Sequence, residues 1–198
     1  ICDAVHKEGL SLLEINEEVQ RLQRRIAAVA AWHPELELPD LSTEAVLSRA
    51  EEWLPFYLGK ASTAAELKKI NLCEAVWNLL DYEQQVEIDR LAPSYLQVPT
   101  GSRIRVDYRQ GAEAPVVCVR LQECFGLTDT PWVDDGRRPV LMELLSPGFK
   151  PVQLTQDLRS FWSTTYFEVR KELRRRYPKH YWPDNPLEAE AVRGVKRK

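Results

Sequence analysis

"RPVLMELLSPGFKPVQLTQD", residues 138–157, places two apolar runs on either side of Ser146-Pro147-Gly148. Proline presets the backbone for a turn and glycine permits conformations closed to other residues, so the segment reads as a β-hairpin. Immediately downstream, Asp157 has the chemistry of a helix N-cap. Leu158, Trp162, Tyr166, Val169, Leu173 and Tyr177 then recur at helical spacing until Pro178 forbids continuation. Strand pairing and one long helix within forty residues imply a sheet with a helix packed on it.

Upstream, "YLQVPTGSRIRVDYRQG" alternates Ile104, Val106 and Tyr108 with Arg103, Arg105, Asp107 and Arg109, the period-two pattern of a half-buried strand with one basic face. "APVVCVRLQECFG" reads as a strand followed by a helical turn stopped at Gly126. Before Pro93 the texture is helical. Ile15, Val19, Leu22, Ile26 and Val29 line one stripe, about four turns long. Ser42 caps a second helix through "LSTEAVLSRAEEWL", and Thr63 with Glu66 forms a capping-box spacing ahead of "LKKINLCEAVWNLL". A last helix runs through "EQQVEIDRL". The expected fold is α+β: an N-terminal helical bundle over 1–92, a small mostly antiparallel β-sheet with a long C-terminal helix over 93–186, and a basic disordered tail over 187–198.

Composition excludes several classes. The chain has 198 residues, of which 44% are hydrophobic and 29% charged. No window approaches the roughly 20 apolar residues of a membrane span, and no signal peptide is visible, so a cytoplasmic protein is expected. The four cysteines and three histidines are dispersed without metal-ligand spacing. Cys73 and Cys118 sit in apolar stretches and read as inert buried thiols. Phosphate loops, dinucleotide fingerprints and nucleophile elbows are all missing. Asp134 and Asp135 read as a solvated loop pair, and His180 near Asp184 has no nucleophile beside it. The chain opens on Ile1 and its single methionine is Met142, which fits a piece of a longer protein.

Charge is uneven. Residues 157–198 carry eleven Lys/Arg against six Asp/Glu, +5, which leaves −8 of the net −3 on residues 1–156. The basic pole culminates in "RRRYPKHYWPDNP", residues 174–186, where cations, prolines and flat rings interleave. Cations neutralise phosphates and rings stack on unpaired bases, the two requirements for binding single strands. The candidate nucleic-acid-binding residues are Arg103, Arg105, Arg109, Arg170, Lys171, Arg174, Arg175, Arg176, Lys179, His180 and Trp182. An equally physical reading makes Tyr177, Tyr181 and Trp182 core, with Arg174 to Arg176 completing the helix dipole.

"VPTGSRIRVDY", "VRLQECFG", "LMELLSPGFKPVQLTQDLRSFW" and "VRKELRRRYPKHYWPDNP" together resemble the C-terminal region of bacterial HrpB-type ATP-dependent helicases, of the DEAH/RHA class in superfamily 2. "EEWLPFYLG" and "LDYEQQVEIDRLAP" extend the resemblance upstream. It implies a parent with two RecA-like motor domains that bind ATP and Mg²⁺, none of whose motifs occur here. No catalytic residue, cofactor or metal is therefore expected in this chain, and the resemblance assigns no role to Arg176, Tyr177, Pro178, Lys179, His180, Trp182 or Pro183. Two functions remain open. One is an accessory region touching single-stranded RNA or DNA. The other is a docking module for the motor domains or another protein.

Overall fold

The computed structural model describes residues 1–110 and 114–195, the side chain of Leu10 apart. The chain divides into two units, Ile1–Ala92 and Pro93–Lys198.

The first unit is helical among the described residues: α1 (Cys2–Leu12), α2 (Glu17–Trp32), α3 (Thr43–Ser48), α4 (Ala50–Leu58), α5 (Ala64–Leu67), α6 (Leu72–Trp77) and α7 (Tyr82–Leu91). The apolar stripe predicted for α2 buries Val19, Ile26 and Val29, while Leu22 is half-buried. Asn16 caps that helix by accepting from the Val19 amide. Thr63 and Glu66 form the expected capping box, yet the helix stops at Leu67 because Asn71 caps a new one. The stretch after Ser42 likewise divides, at Arg49, whose backbone leaves helical geometry. Arg25 ties these pieces together. It projects from α2, lies 5.5 Å from the centre of the Trp77 ring, and donates to Asp89 and to the Ala92 carbonyl beyond α7. An otherwise orphaned helix-end carbonyl is thereby satisfied.

The second unit contains β1 (Tyr95–Gln97), β2 (Arg103–Asp107), β3 (Val116–Arg120), β4 (Trp132–Val133), β5 (Arg138–Pro139), β6 (Leu141–Leu145) and β7 (Pro151–Thr155), then α8 (Leu158–Ser163) and α9 (Thr165–Arg176). The main sheet runs β1-β2-β3-β6-β7, antiparallel except between β3 and β6, and β4 pairs with β5 separately. Val106, Val117, Val119, Met142 and Leu144 are buried on one face, as the alternating pattern requires. Arg103, Arg105, Cys118, Glu143 and Leu154 occupy the other.

Asp157 caps α8 as read, but the predicted single helix is two. At Thr164 the backbone turns to φ −128° and ψ −76°, and the threonine hydroxyl donates to the Ser160 carbonyl at 2.7 Å. Buried Phe125 meets Trp162, Tyr166 and Tyr181 at ring separations of 6.0–6.4 Å, so the helices are anchored to the segment that follows β3.

The expectation of a disordered tail is corrected for residues 187–195; residues 196–198 lie outside the described residues. The segment lacks an apolar period, but its polar groups find partners. The Val192 amide donates to the Gln122 carbonyl at 3.0 Å, and the Gln122 side chain donates back to the Arg193 carbonyl at 3.2 Å. The Arg193 guanidinium bonds Ser102 Oγ and the Thr100 carbonyl, each at 2.9 Å. Hydrogen bonds from a charged group contribute about 1.5–3 kcal/mol when buried and less when exposed, as this guanidinium largely is. Truncation after Pro186 is therefore expected to destabilise the protein by about 1–3 kcal/mol, read as a lower midpoint in urea unfolding.

Candidate nucleic-acid interface

Three cations, Arg174, Arg175 and Arg176, fill the last turn of α9, where the negative end of the helix dipole favours them. The chain then folds back on itself. Tyr177 caps the helix, its amide donating to the Leu173 carbonyl at 2.7 Å. Its own carbonyl accepts from the His180 amide at 3.1 Å and from Trp182 Nε1 at 2.9 Å. The Tyr177 hydroxyl lies 3.4 Å from Ser146 Oγ and presses on Gly148, where an added Cβ would stand only 2.7 Å from it. Any larger residue there would have to displace the tyrosine hydroxyl.

Further along, the Tyr166 hydroxyl donates to the Pro183 carbonyl at 2.7 Å, and Arg170 reaches Asp184 at 2.6 Å. The segment 174–186, a strap, therefore lies along its own helix with its rings turned inward. Tyr181 is edge-on to Phe125, and Trp182 is half-buried with its ring nitrogen committed to backbone. His180 is half-buried and edge-on to Tyr177, and its Nδ1 is enclosed without a hydrogen-bond partner among the described residues.

The predicted cations separate into groups. Arg170 is half-buried in its ion pair. Arg175 pairs with Glu172 at 2.8 Å, and the Arg176 guanidinium lies 6.0 Å from the Tyr177 ring centre. Lys171, Arg174 and Lys179 are exposed and have no ion-pair partner among the described residues. On β2, Arg103 and Arg105 bracket Tyr95, at 4.6 and 5.4 Å from its ring centre, and Arg109 pairs with Asp107 at 2.8 Å. The strap meets the β6–β7 turn, whereas Arg103 and Arg105 sit on β2 and Arg109 just past its end, with β3 between β2 and that hairpin. At roughly 4.8 Å per strand the two basic features are not adjacent in the sheet.

Some residues outside the predicted set also shape the unit. Asp134, expected to be solvated, is 1% exposed and bonds Arg138 at 3.0 Å, leaving only Asp135 in water. Local sequence does not encode this, since the two aspartates look alike until the loop folds. Cys118, expected to be buried, is exposed on the open sheet face and donates to Glu143 at 2.8 Å. Burial of the sulfur and the carboxylate beside it push this thiol up to about 11, and burial pushes Cys124 up to about 12. No cluster of three metal-ligating side chains occurs among the described residues, and no helix there is long and apolar enough to cross a membrane.

Residues 53–186 match the family model for the C-terminal region of ATP-dependent helicases, HrpB type. The Escherichia coli (strain K12) ATP-dependent RNA helicase HrpB is 37% identical over 98% of this chain and 24% of its own length. The chain belongs to the HrpB helicase C-terminal family. A crystal structure of the E. coli DExH-box NTPase HrpB superposes with a TM-score of 0.87 at 37% identity, covering 99% of this chain and 24% of that one. A second, of the Escherichia coli DEAH/RHA helicase HrpB, gives 0.75 at 36% identity over 92% of this chain and 23% of that one. The chain thus spans about a quarter of the length of these relatives.

Two measurements check this geometry. Trp182→Ala should cost about 2–3 kcal/mol, below the full value for a buried ring, whereas Lys179→Glu should shift stability by less than about 0.5 kcal/mol, both read by denaturant unfolding. A Cys118 thiol raised to about 11 stays protonated at neutral pH, so its alkylation by iodoacetamide, followed by mass spectrometry, should still be accelerating at pH 10.

Proposed function

We propose that this chain is a non-catalytic accessory region of an ATP-dependent helicase and that it contacts single-stranded nucleic acid through the outer side of its strap. The observation that carries the reading is the segregation of that strap. Its rings are held inward while Lys171, Arg174 and Lys179 stand exposed and unneutralised among the described residues. Unpaired cations on a fixed backbone are what a polyphosphate chain needs, because each contact releases condensed counterions. Arg175, Arg176 and His180 flank the same surface, and Trp182 supports it from below. Arg103, Arg105 and Arg109 form a second basic patch on the sheet, and Arg170 positions the strap through Asp184.

ATP and Mg²⁺ would bind in motor domains outside this chain, and those domains would be its covalent neighbours. The E. coli relative is named an RNA helicase, so RNA is the first strand to test and DNA the second. A cytoplasmic location follows from the same role. Docking of the strap on an acidic face of the motor domains is the second reading, since inward rings leave cations alone to make the contact.

The triple change Lys171→Glu, Arg174→Glu and Lys179→Glu should weaken binding of a labelled oligouridylate and flatten its dependence on salt. Each lost phosphate contact removes about 0.7 from the log–log slope on single strands, so a fall of about 2 is expected. Unchanged affinity and slope would favour docking instead.

A further inference from the structure

The β6–β7 turn carries a feature that the strap does not explain. Phe149, at its tip, is 63% exposed and adopts φ +63°. A phenylalanine in left-handed backbone is strained, and such strain persists only where the surroundings impose it. Here they do. The Phe149 amide donates to the Ser146 carbonyl at 2.9 Å, the Lys150 amide to Ser146 Oγ at 3.2 Å, and the Ser146 amide to the Lys150 carbonyl at 2.8 Å. Ser146 is itself buried and meets the Tyr177 hydroxyl. The backbone beneath the ring is fixed from three directions.

The ring is also held from the side. The Arg120 guanidinium lies 4.7 Å from its centre, and Arg120 Nε donates to buried Glu123 at 3.2 Å. Lys150 is exposed next to it, and Gly148 on the other side is pressed by Tyr177, where the chain turns from α9 into the rest of the strap. An isolated exposed phenylalanine calls for no explanation. One that is strained, immobilised and flanked by cations on the same turn that seats the basic strap does.

We propose that Phe149, with Arg120 stacked against it, is a base-stacking platform for the single strand whose phosphates meet the strap. This rests on the nucleic-acid reading above and adds which atoms of the ligand the hairpin tip engages: the flat face of an unpaired base. A ring held rigidly loses little freedom on stacking, and every base has a π-face, so the platform is tolerant of sequence. The flanking positive charge favours a polyanion's base over the apolar side chain of a neutral or basic protein.

The test uses Phe149→Gly, which removes the ring yet suits the left-handed backbone, so the turn is retained. Two labelled probes of equal length are titrated: oligothymidylate, and a strand of abasic tetrahydrofuran phosphates. The platform predicts about tenfold weaker binding of oligothymidylate by Phe149→Gly with the abasic strand changed less than twofold. Phe149→Trp should restore oligothymidylate binding and show fluorescence quenching on titration. Equal effects of Phe149→Gly on both probes, or none on either, would overturn the platform. The strap triple variant, run in parallel, should weaken both probes. If it does so while Phe149→Gly weakens neither, the platform fails and the nucleic-acid reading stands. If the strap variant weakens neither probe, that reading fails and the platform with it.

Discussion

One buried carboxylate holds an end of the sheet together. Glu123, 5% exposed, accepts from Ser102 Oγ at 2.7 Å, Thr100 Oγ1 at 3.0 Å and Arg120 Nε at 3.2 Å, with Arg193 at 4.0 Å. An ionised carboxylate out of water is costly unless its lone pairs are filled. Filling them draws together the β1–β2 turn, the end of β3 and the C-terminal segment, which Arg193 and Gln122 also link. Through Arg120 the same carboxylate fixes the guanidinium against Phe149. Four parts of the chain thus depend on one side chain, carried on the short 3-10 helix Leu121–Cys124 that follows β3.

The strap solves a different problem with the same economy. A segment of cations and rings cannot be buried whole, nor left free without losing the order that a binding surface requires. Here the rings supply the burial and the backbone supplies the order. The Tyr177 carbonyl accepts two hydrogen bonds, Tyr166 and Arg170 grip Pro183, and Tyr181 meets Phe125. The long cationic side chains then project outward at little cost, since their charges never leave water. Rigidity here comes from aromatic anchors and fixed carbonyls, while the prolines shorten the list of backbone states to be excluded.

Membership in the HrpB helicase C-terminal family rests on 37% identity across nearly the whole chain and on the shared fold. It fits a region in which ionisable groups are arranged for structure. The three perturbed thiols, Cys73, Cys118 and Cys124, are all raised, the opposite of what nucleophilic cysteines need. Buried Asp134 answers two arginines, which stabilises a loop.

Local pattern determined much of this molecule. The hairpin at Ser146, the capping box at Thr63, the strand of alternating arginines and the α+β order follow from periodicity and turn chemistry, which act over a few residues. Family resemblance could be carried by the same short stretches. Helix breaks at Arg49, Asn71 and Thr164 escaped because a cap or a backbone turn competes with an unbroken apolar period, and packing decides between them. Tertiary structure alone decided that the tail is held, since Arg193 reaches Ser102 across 91 residues. It alone separated Asp134 from Asp135, turned the strap's rings inward, and put Phe149 rather than Gly148 at the positive φ. Gly148 serves instead to admit the Tyr177 hydroxyl. The held tail, the inward rings and the close approach at Gly148 rest on contacts between residues far apart in the chain, whose distant partners no local spacing records, while Asp134 and Phe149 are set by how their own loops fold.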